Sequence, residues 1–402
     1  MERIADMRID DIVVVSACRS PIASFGGGLK DMSAIDIGAQ VIKKTLKRIN
    51  LKPDMVDMTV FGNCRQAGNG SNPARIAAEL AGVPVDRFAQ TVNCACPTGL
   101  KSLIIASQDI RLGDAEIVVA GGMESMSTIP HLLIGHRWNG FRLGNVTLMD
   151  GWNDSIDKIA NVSMGITAEN VAEKYKISRD DQDKFAFESH QKASKAQKEG
   201  LFKAEIDPIE VPGTRKTAGF ILSEDDSIRH DIDYHKLTSL KPVFKKDGTV
   251  TAGNACSMPD GAAALVVTSR NKAKILGLEP LFSIVSYSNT AVENAYMGIG
   301  PTASIPIALK RANMAIQDID VFEINEAFAA TSLACERILN LNHEKVNING
   351  GAIALGHPTG CSGARLLVTL YQILKQRDQD LGVASLCGGG GVSCAMVIKR
   401  EK

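Results

Sequence analysis

Residues 88–122 read FAQTVNCACPTGLKSLIIASQDIRLGDAEIVVAGG, and this stretch decides the fold. Phe88–Val92 has the composition of a short strand, and Thr98–Leu112 is long and apolar enough for a helix. Glu116–Ala120 then supplies a second apolar run, closed by Gly121-Gly122. Strand, helix and strand in so short a span is the rhythm of a layered α/β protein.

The same rhythm extends toward the N-terminus. Ile12–Ser16 predicts a strand, and Ser33 with Asp36 opens a helix in capping-box spacing. Ile35, Ile42, Leu46 and Ile49 mark its apolar face, and Lys52-Pro53 ends it. Met58–Phe61 predicts a strand, and Asn72-Pro73 gives the N-cap and first residue of a helix through Leu80. From Ser125 to Thr249 the texture changes: Ser178 with Asp181 starts a charged amphipathic helix to about Gln197, within mixed polar segments. This reads as a lobe inserted into the core. The α/β rhythm returns at Ala262–Thr268.

The second half echoes the first. Val346-Asn347, then Ser362-Gly363 with an apolar helix, then the strand Val383–Leu386 ending in Cys387-Gly388, repeat the pattern of residues 92–122. Thr98 and Ser362, like Gly99 and Gly363, are 264 positions apart. Two copies of one unit would bring equivalent loops to one cleft.

Composition bounds the rest. The 402 residues are 45% hydrophobic and 22% charged, with 45 Lys plus Arg against 45 Asp plus Glu. Zero net charge argues against an electrostatic nucleic-acid binder. Nine cysteines are too few and too odd in number for a disulfide scaffold, and read as free thiols. No apolar run reaches the ~20 residues of a membrane span. The alternating charges of Met1–Asp11 resemble neither a signal nor a transit peptide, so the expectation is a cytoplasmic protein.

Three segments could carry chemistry. Cys96 lies between a strand and a helix start, where the helix dipole favours thiolate; Cys94 and Cys96 also suit an ordinary core pair, whereas half a metal site is the poor reading, since no CxxC is present. The scattered histidines lack metal-ligand spacing, so no metal is expected. His357 sits in the glycine-rich turn 350–360. Cys387 heads four glycines whose N–H groups can face a developing negative charge. Asn325, after the strand Val321–Ile324, reads as a helix N-cap. Two cysteines, a histidine and an asparagine at strand-to-helix turns fit acyl transfer through a thioester.

The chain resembles the thiolase family over essentially its whole length. The resemblance rests on Cys96-Pro97-Thr98-Gly99, Gly121–Met126, Gly248–Ala255, Asn325–Ala330, Gly350–Gly360 and Cys387–Gly391. It implies a thiolase fold: two duplicated α/β halves in an αβαβα core with an inserted loop domain. The boundaries would be 1–124 with 250–275, 125–249, and 276–402. It implies an acyltransferase of fatty acid metabolism, cleaving 3-ketoacyl-CoA or running the reverse condensation, with CoA as substrate and no resident cofactor. Cys96 would be the nucleophile and Cys387 the general acid/base. His357 would activate Cys96, and would share an oxyanion hole with a water held on Asn325. The N–H groups of Cys96 and Gly389 would form the second hole. Arg229, Met164, Phe328 and Cys256 would contact CoA or substrate, and the assembly would be a homodimer or homotetramer. The alternatives are an acetoacetyl-CoA-specific acetyltransferase and a non-catalytic acyl-CoA-binding subunit. Pro97 and Thr98 depart from the family's small residue and Ser, Cys256 from its serine, and Ser163 from the histidine of short-chain members.

Overall fold

The computed structural model describes residues 11–213, 215 and 218–402. The charged segment 1–10, read above as no targeting peptide, lies outside the described residues. The main sheet has nine strands: β1 (Ile12–Arg19), β2 (Met58–Gly62), β3 (Phe88–Val92), β4 (Ile117–Ser125), β5 (Asp260–Ser269), β6 (Phe282–Ala291), β7 (Val321–Ile324), β8 (Leu381–Cys387) and β9 (Val392–Arg400). Their order is β7-β8-β9-β6-β1-β5-β4-β2-β3. β2 pairs parallel with β3 and β4, then β4–β5 and β5–β1 are antiparallel. β7–β8 is parallel, then β8–β9 and β9–β6 are antiparallel. The two halves thus share one topology, and they join where Val13 and Val14 of β1 meet Ser283 and Phe282 of β6.

Eight helices matter for the site: α1 (Ala34–Arg48), α2 (Pro73–Leu80), α3 (Thr98–Leu112), α4 (Met164–Lys174), α5 (Arg179–Lys198), α6 (Gly300–Ala312), α7 (Ala329–Leu339) and α8 (Thr359–Gln376). Strand alternation sorts the layers. Val13 and Val15 face an outer core with Ile37, Val41, Ile42 and Leu46 of α1, whereas Ile12 and Val14 face a central core with α3 and α8. On the far side, Ile305 and Leu309 of α6 pack on Phe322, Val383 and Val397. The result is five layers, with α3 and α8 in the middle.

The middle layer depends on the two repeated glycines. A methyl on Gly363 would fall on the Leu100 amide, and one on Gly99 would stand 2.8 Å from the Ala364 nitrogen. Only hydrogen at both positions lets the helix starts approach this closely.

Local signals set the helices. Ser33 Oγ accepts the Asp36 N–H, and Ser178 with Asp181 forms the capping box of α5. The phase of α1 differs from the expected one: Ile37 and Val41 are buried, and Ile35 only flanks the core. β4 runs past Gly121-Gly122 to Ser125, because the glycines lie against Ala263 and Gly360 backbone and need no side chain. No strand forms at Val346-Asn347, where only Val346 bridges to Phe322. Asn347 adopts φ +45°, and its side chain donates to Ile324 O (2.8 Å) and accepts from Ile324 N (2.9 Å), completing the edge that backbone would otherwise pair.

The chain between β4 and β5 forms the lobe carrying α4 and α5. No helix among the described residues is long and apolar enough to cross a membrane.

Candidate active site

Four loops at the C-terminal ends of strands converge, the usual place for ligands in α/β sheets. The 93–97 loop follows β3, Asn325 follows β7, His357 precedes α8, and Cys387 closes β8.

The 93–97 loop is tightly held. Ala95 takes φ +54°, unusual for a residue with a Cβ, and its N–H donates to Asn93 Oδ1 (3.0 Å). Thr98 Oγ1 accepts the Cys94 N–H (2.7 Å) while Thr98 N–H donates to Ala95 O (3.0 Å). Cys96 therefore stands before the helix, whose N-cap position is Pro97. Its thiol is pushed up by burial, correcting the expected dipole-stabilised thiolate. The N–H of Gly389, the Arg65 charge and the N–H of Cys96 itself act in the opposite direction, in that order. Two amides from different halves thus aim at one sulfur. Gly388 makes this approach feasible, since a Cβ there would stand 3.2 Å from the Cys96 nitrogen.

His357 is 6% exposed. Its Nδ1 lies 2.6 Å from Ser362 Oγ, which donates to Pro358 O at 2.9 Å. The hydroxyl proton is thus committed, so Nδ1 carries a proton and Nε2 presents a lone pair. Nε2 has no protein partner. Burial first, and the Arg365 charge second, hold the imidazole pKa at about 3, so the ring is neutral at physiological pH.

Asn325 does not cap a helix. α7 begins at Ala329 with Phe328 as N-cap, and both side-chain polar atoms of the buried Asn325 lack protein partners. Buried amides without partners are rare in structural roles and mark a place for water or ligand.

Cys387 is buried among Met164, Ala168, Val250, Met297, Ala327 and Phe328. Burial raises its pKa strongly, and the neighbouring Cys96 adds to this. Cys256 is pushed up to about 12 by burial and then by Cys96, so it too borders the nucleophile. Met164 Sδ lies 3.5 Å from a Cβ position on Gly389, and Phe328 meets Phe244 edge-on at 6.3 Å. Met164, Phe328 and Cys256 are therefore with Cys96, His357, Asn325 and Cys387.

Arg229 is elsewhere. It borders a cleft of about 420 Å³ with His190, Ser194, Lys195, Lys198 and His230. Neighbouring Ile228 packs on Ala354 and Leu355, and Ser227 Oγ donates to Leu355 O (2.7 Å), which links the cleft to the segment ending in His357. All nine cysteines are free, and no group of three or more His, Cys, Asp or Glu among the described residues could hold a metal.

Comparison with known proteins gives the family. The thiolase N-terminal domain family matches residues 12–271, and the thiolase C-terminal domain family matches residues 278–400. The chain belongs to the thiolase family. A probable acetyl-CoA acyltransferase of Staphylococcus epidermidis is 51% identical over 391 residues, 97% of this chain and 98% of that one. The crystal structure of the Bacillus anthracis acetyl-CoA acetyltransferase superposes with TM-score 0.94 at 44% identity, covering 97% and 98% of the two chains. Human mitochondrial 3-ketoacyl-CoA thiolase in complex with CoA gives 0.93 at 39% identity, covering 97% and 98%. As a thiolase, the chain is a CoA-dependent acyltransferase.

Three supporting residues of this thiolase escaped the sequence reading. Ser362 fixes the His357 tautomer, although its 264-residue offset from Thr98 already marked it. Ser257 O accepts the His357 N–H at 3.2 Å. Glu124 is fully buried, and its carboxylate accepts Asn63 Nδ2 (2.7 Å), Arg65 N–H (3.0 Å), Thr359 Oγ1 (2.6 Å) and Gly360 N–H (2.8 Å). A first-half carboxylate thereby caps the second-half helix that follows His357.

Proposed function

We propose that this thiolase cleaves 3-ketoacyl-CoA, and runs the reverse condensation, through an acyl thioester on Cys96. The carrying observation is the close approach of the glycine loop after Cys387 to Cys96, where a Cβ on Gly388 would stand 3.2 Å from the Cys96 nitrogen and the Gly389 N–H counters the burial of the sulfur. Donors so placed become an oxyanion hole once the sulfur bonds to a carbonyl carbon.

In cleavage, His357 Nε2 takes the Cys96 proton and the thiolate attacks the 3-keto carbon. The C2–C3 bond breaks, leaving the acyl group on Cys96 and the electron pair on the acetyl-CoA enolate. His357 and a water on Asn325 hold the enolate oxygen, and Cys387 delivers its proton to C2. The CoA thiol then attacks the acyl-enzyme and releases the shortened acyl-CoA. The raised pKa of Cys387 supports its role as an acid, because burial keeps the proton on sulfur until a carbanion needs it.

The lysines beside Arg229 suit the phosphates of the CoA nucleotide, with Met164, Phe328 and Cys256 along the pantetheine and acyl group. The lobe 125–249 would be a loop domain on the two halves 1–124 with 250–275 and 276–402. The assembly would be a homodimer or homotetramer in the cytoplasm, serving fatty acid metabolism. Ser163 at the N-cap of α4, with Pro97 and Thr98 after the nucleophile, supports an acyl pocket redirected toward chains longer than acetoacetyl. A methylene in an apolar pocket is worth about 1–3 kcal/mol, so the preference would be graded.

The test is incubation with acyl-CoA, mass mapping of the acylated peptide, and thiolysis of a 3-ketoacyl-CoA series. The adduct is expected on Cys96, and kcat/KM is expected to rise beyond the four-carbon substrate. An adduct on any other thiol overturns the nucleophile; acetoacetyl-CoA outperforming every longer substrate overturns the pocket.

A further inference from the structure

Below the His357–Asn325 corner lies a second charged feature with no part in the scheme above. Arg365 on α8 is completely buried, one turn beyond the Ser362 that holds His357. Glu323 on β7 is equally buried, two residues before Asn325, and so points to the same face of the strand. Arg365 Nη1 and Glu323 Oε2 are 3.5 Å apart. No protein atom hydrogen-bonds to any of the three guanidinium nitrogens or to either carboxyl oxygen. His357 Nε2, just before α8, and the Asn325 amide, just after β7, are likewise without protein partners.

So many unmatched atoms make the pair a poor structural device, because a loosely paired buried ion pair stabilises little. The first half shows what a structural solution looks like. The position 264 residues earlier holds Lys101, only half-buried, with Nζ 3.3 Å from Asn289 Oδ1. At this position of the repeat, the buried cation stands in the half that supplies His357 and Asn325.

We propose that Arg365 and Glu323 are positioning residues for the thiolase reaction: the buried guanidinium sets a positive potential at the oxyanion hole of His357 and Asn325, and the protonation of Glu323 gates it. The inference rests on the assignment of that hole above. The Arg365 charge already reaches the imidazole, where it opposes protonation. The same charge favours an enolate oxygen, and in a low-dielectric interior it does so without reorganisation.

Facing Glu323 are Arg365 from α8, Glu326 from the loop after β7, Glu205 from the lobe and Lys192 from α5. Glu205 is itself bound by Arg19 (2.7 Å) and Thr369 (3.2 Å). Burial, against the opposing pull of Arg365, raises Glu323 to about 8. Below that pH the acid is neutral and the guanidinium acts alone. Above it the new carboxylate cancels the potential.

The test compares pH profiles of kcat for thiolysis in the intact enzyme and in Glu323→Gln, Arg365→Lys and Arg365→Met. The parent is expected to lose activity through about pH 8. Glu323→Gln, neutral at every pH, should lack this decline and exceed the parent several-fold near pH 9. Arg365→Met should lower kcat by about 10–100-fold with KM nearly unchanged and raise the His357 pKa, read by NMR titration. Arg365→Lys, which keeps the charge, should recover most of that loss. Superimposable profiles for parent and Glu323→Gln overturn the gating, and equal losses in the Lys and Met variants overturn the electrostatic role of Arg365. If Arg365→Met fails to fold, the Glu323→Gln and Arg365→Lys comparisons still decide. If Cys96 is not acylated at all, the hole assignment fails, and that result is distinct from a normal acyl-enzyme with an unchanged pH profile.

Discussion

Helices α3 and α8 occupy equivalent places in the two halves and touch through equivalent glycines, yet they carry different chemistry. The residue at the first turn of each is a hydroxyl: Thr98 Oγ1 binds the Cys94 amide and shapes the nucleophile loop, whereas Ser362 Oγ binds His357 Nδ1 and fixes a base. One duplicated polar atom supports backbone in the first half and imidazole in the second. Under the proposed roles, the difference teaches how a repeated unit divides labour, with the first half supplying the nucleophilic sulfur and the second the proton-handling groups and one of the two amides.

The largest effect should come from exchanging the two thiols that represent these roles. Cys96→Ala should abolish acylation and turnover, by on the order of 10⁴-fold or more. Cys387→Ser should still be acylated on Cys96 by acyl-CoA, yet lose C–C cleavage by about 10²–10⁴-fold, as checked by single-turnover mass spectrometry beside steady-state assay. Near-normal cleavage in Cys387→Ser would dissolve the division between halves. Asn325→Ala should cost about 10²–10³ in kcat while leaving acylation rate little changed, since it removes one oxyanion support. A thermal melt equal to the parent's would show that the loss is chemical.

The buried histidines should also make stability depend on acid. The folded His357 pKa of about 3 lies below the ordinary 6.5, so the unfolded chain binds the proton first. Stability from this group is complete above about pH 6.5 and is lost progressively as pH falls toward 3. His190, held at about 4 by burial and then by Arg229, acts in the same direction. Urea midpoints should fall between pH 7 and about pH 5, and His357→Gln should flatten the fall; an unchanged slope would assign it to other groups. The smallest expected effect is at the glycine contact, where Gly363→Ala should cost about 1–3 kcal/mol as a lowered Tm, because the Leu100 backbone must retreat. A neutral substitution would mean the helix starts are free to separate.

Much of this was legible in the sequence because the signals were local. Ser33, Asn72 and Ser178 cap helices where their spacing says, and the 264-residue offset marks the two glycines that touch. What was not legible depended on burial or on distant partners. The Cys96 thiol moves opposite to the helix-dipole expectation because burial outweighs the amides and the Arg65 charge beside it. Asn325 reads as a cap until α7 is seen to begin at Ala329. Val346-Asn347 echoes Val92-Asn93 in sequence, yet there a side-chain amide serves the edge of β7. Glu124 sits in a glycine-rich strand end, and nothing nearby in sequence announces Thr359 and Gly360 as its partners.

That carboxylate has a consequence for the protein's history and for its manipulation. Glu124 belongs to one repeat and secures the helix start of the other, so neither repeat is a self-sufficient module. Cutting the chain between β5 and β6 would leave one fragment with a buried anion facing solvent and another with an uncapped catalytic helix. Such fragments would regain a complete seam only by finding each other. Swapping a half between related enzymes therefore carries a hidden compatibility requirement, in which residue 124 and residues 359–360 must be inherited together.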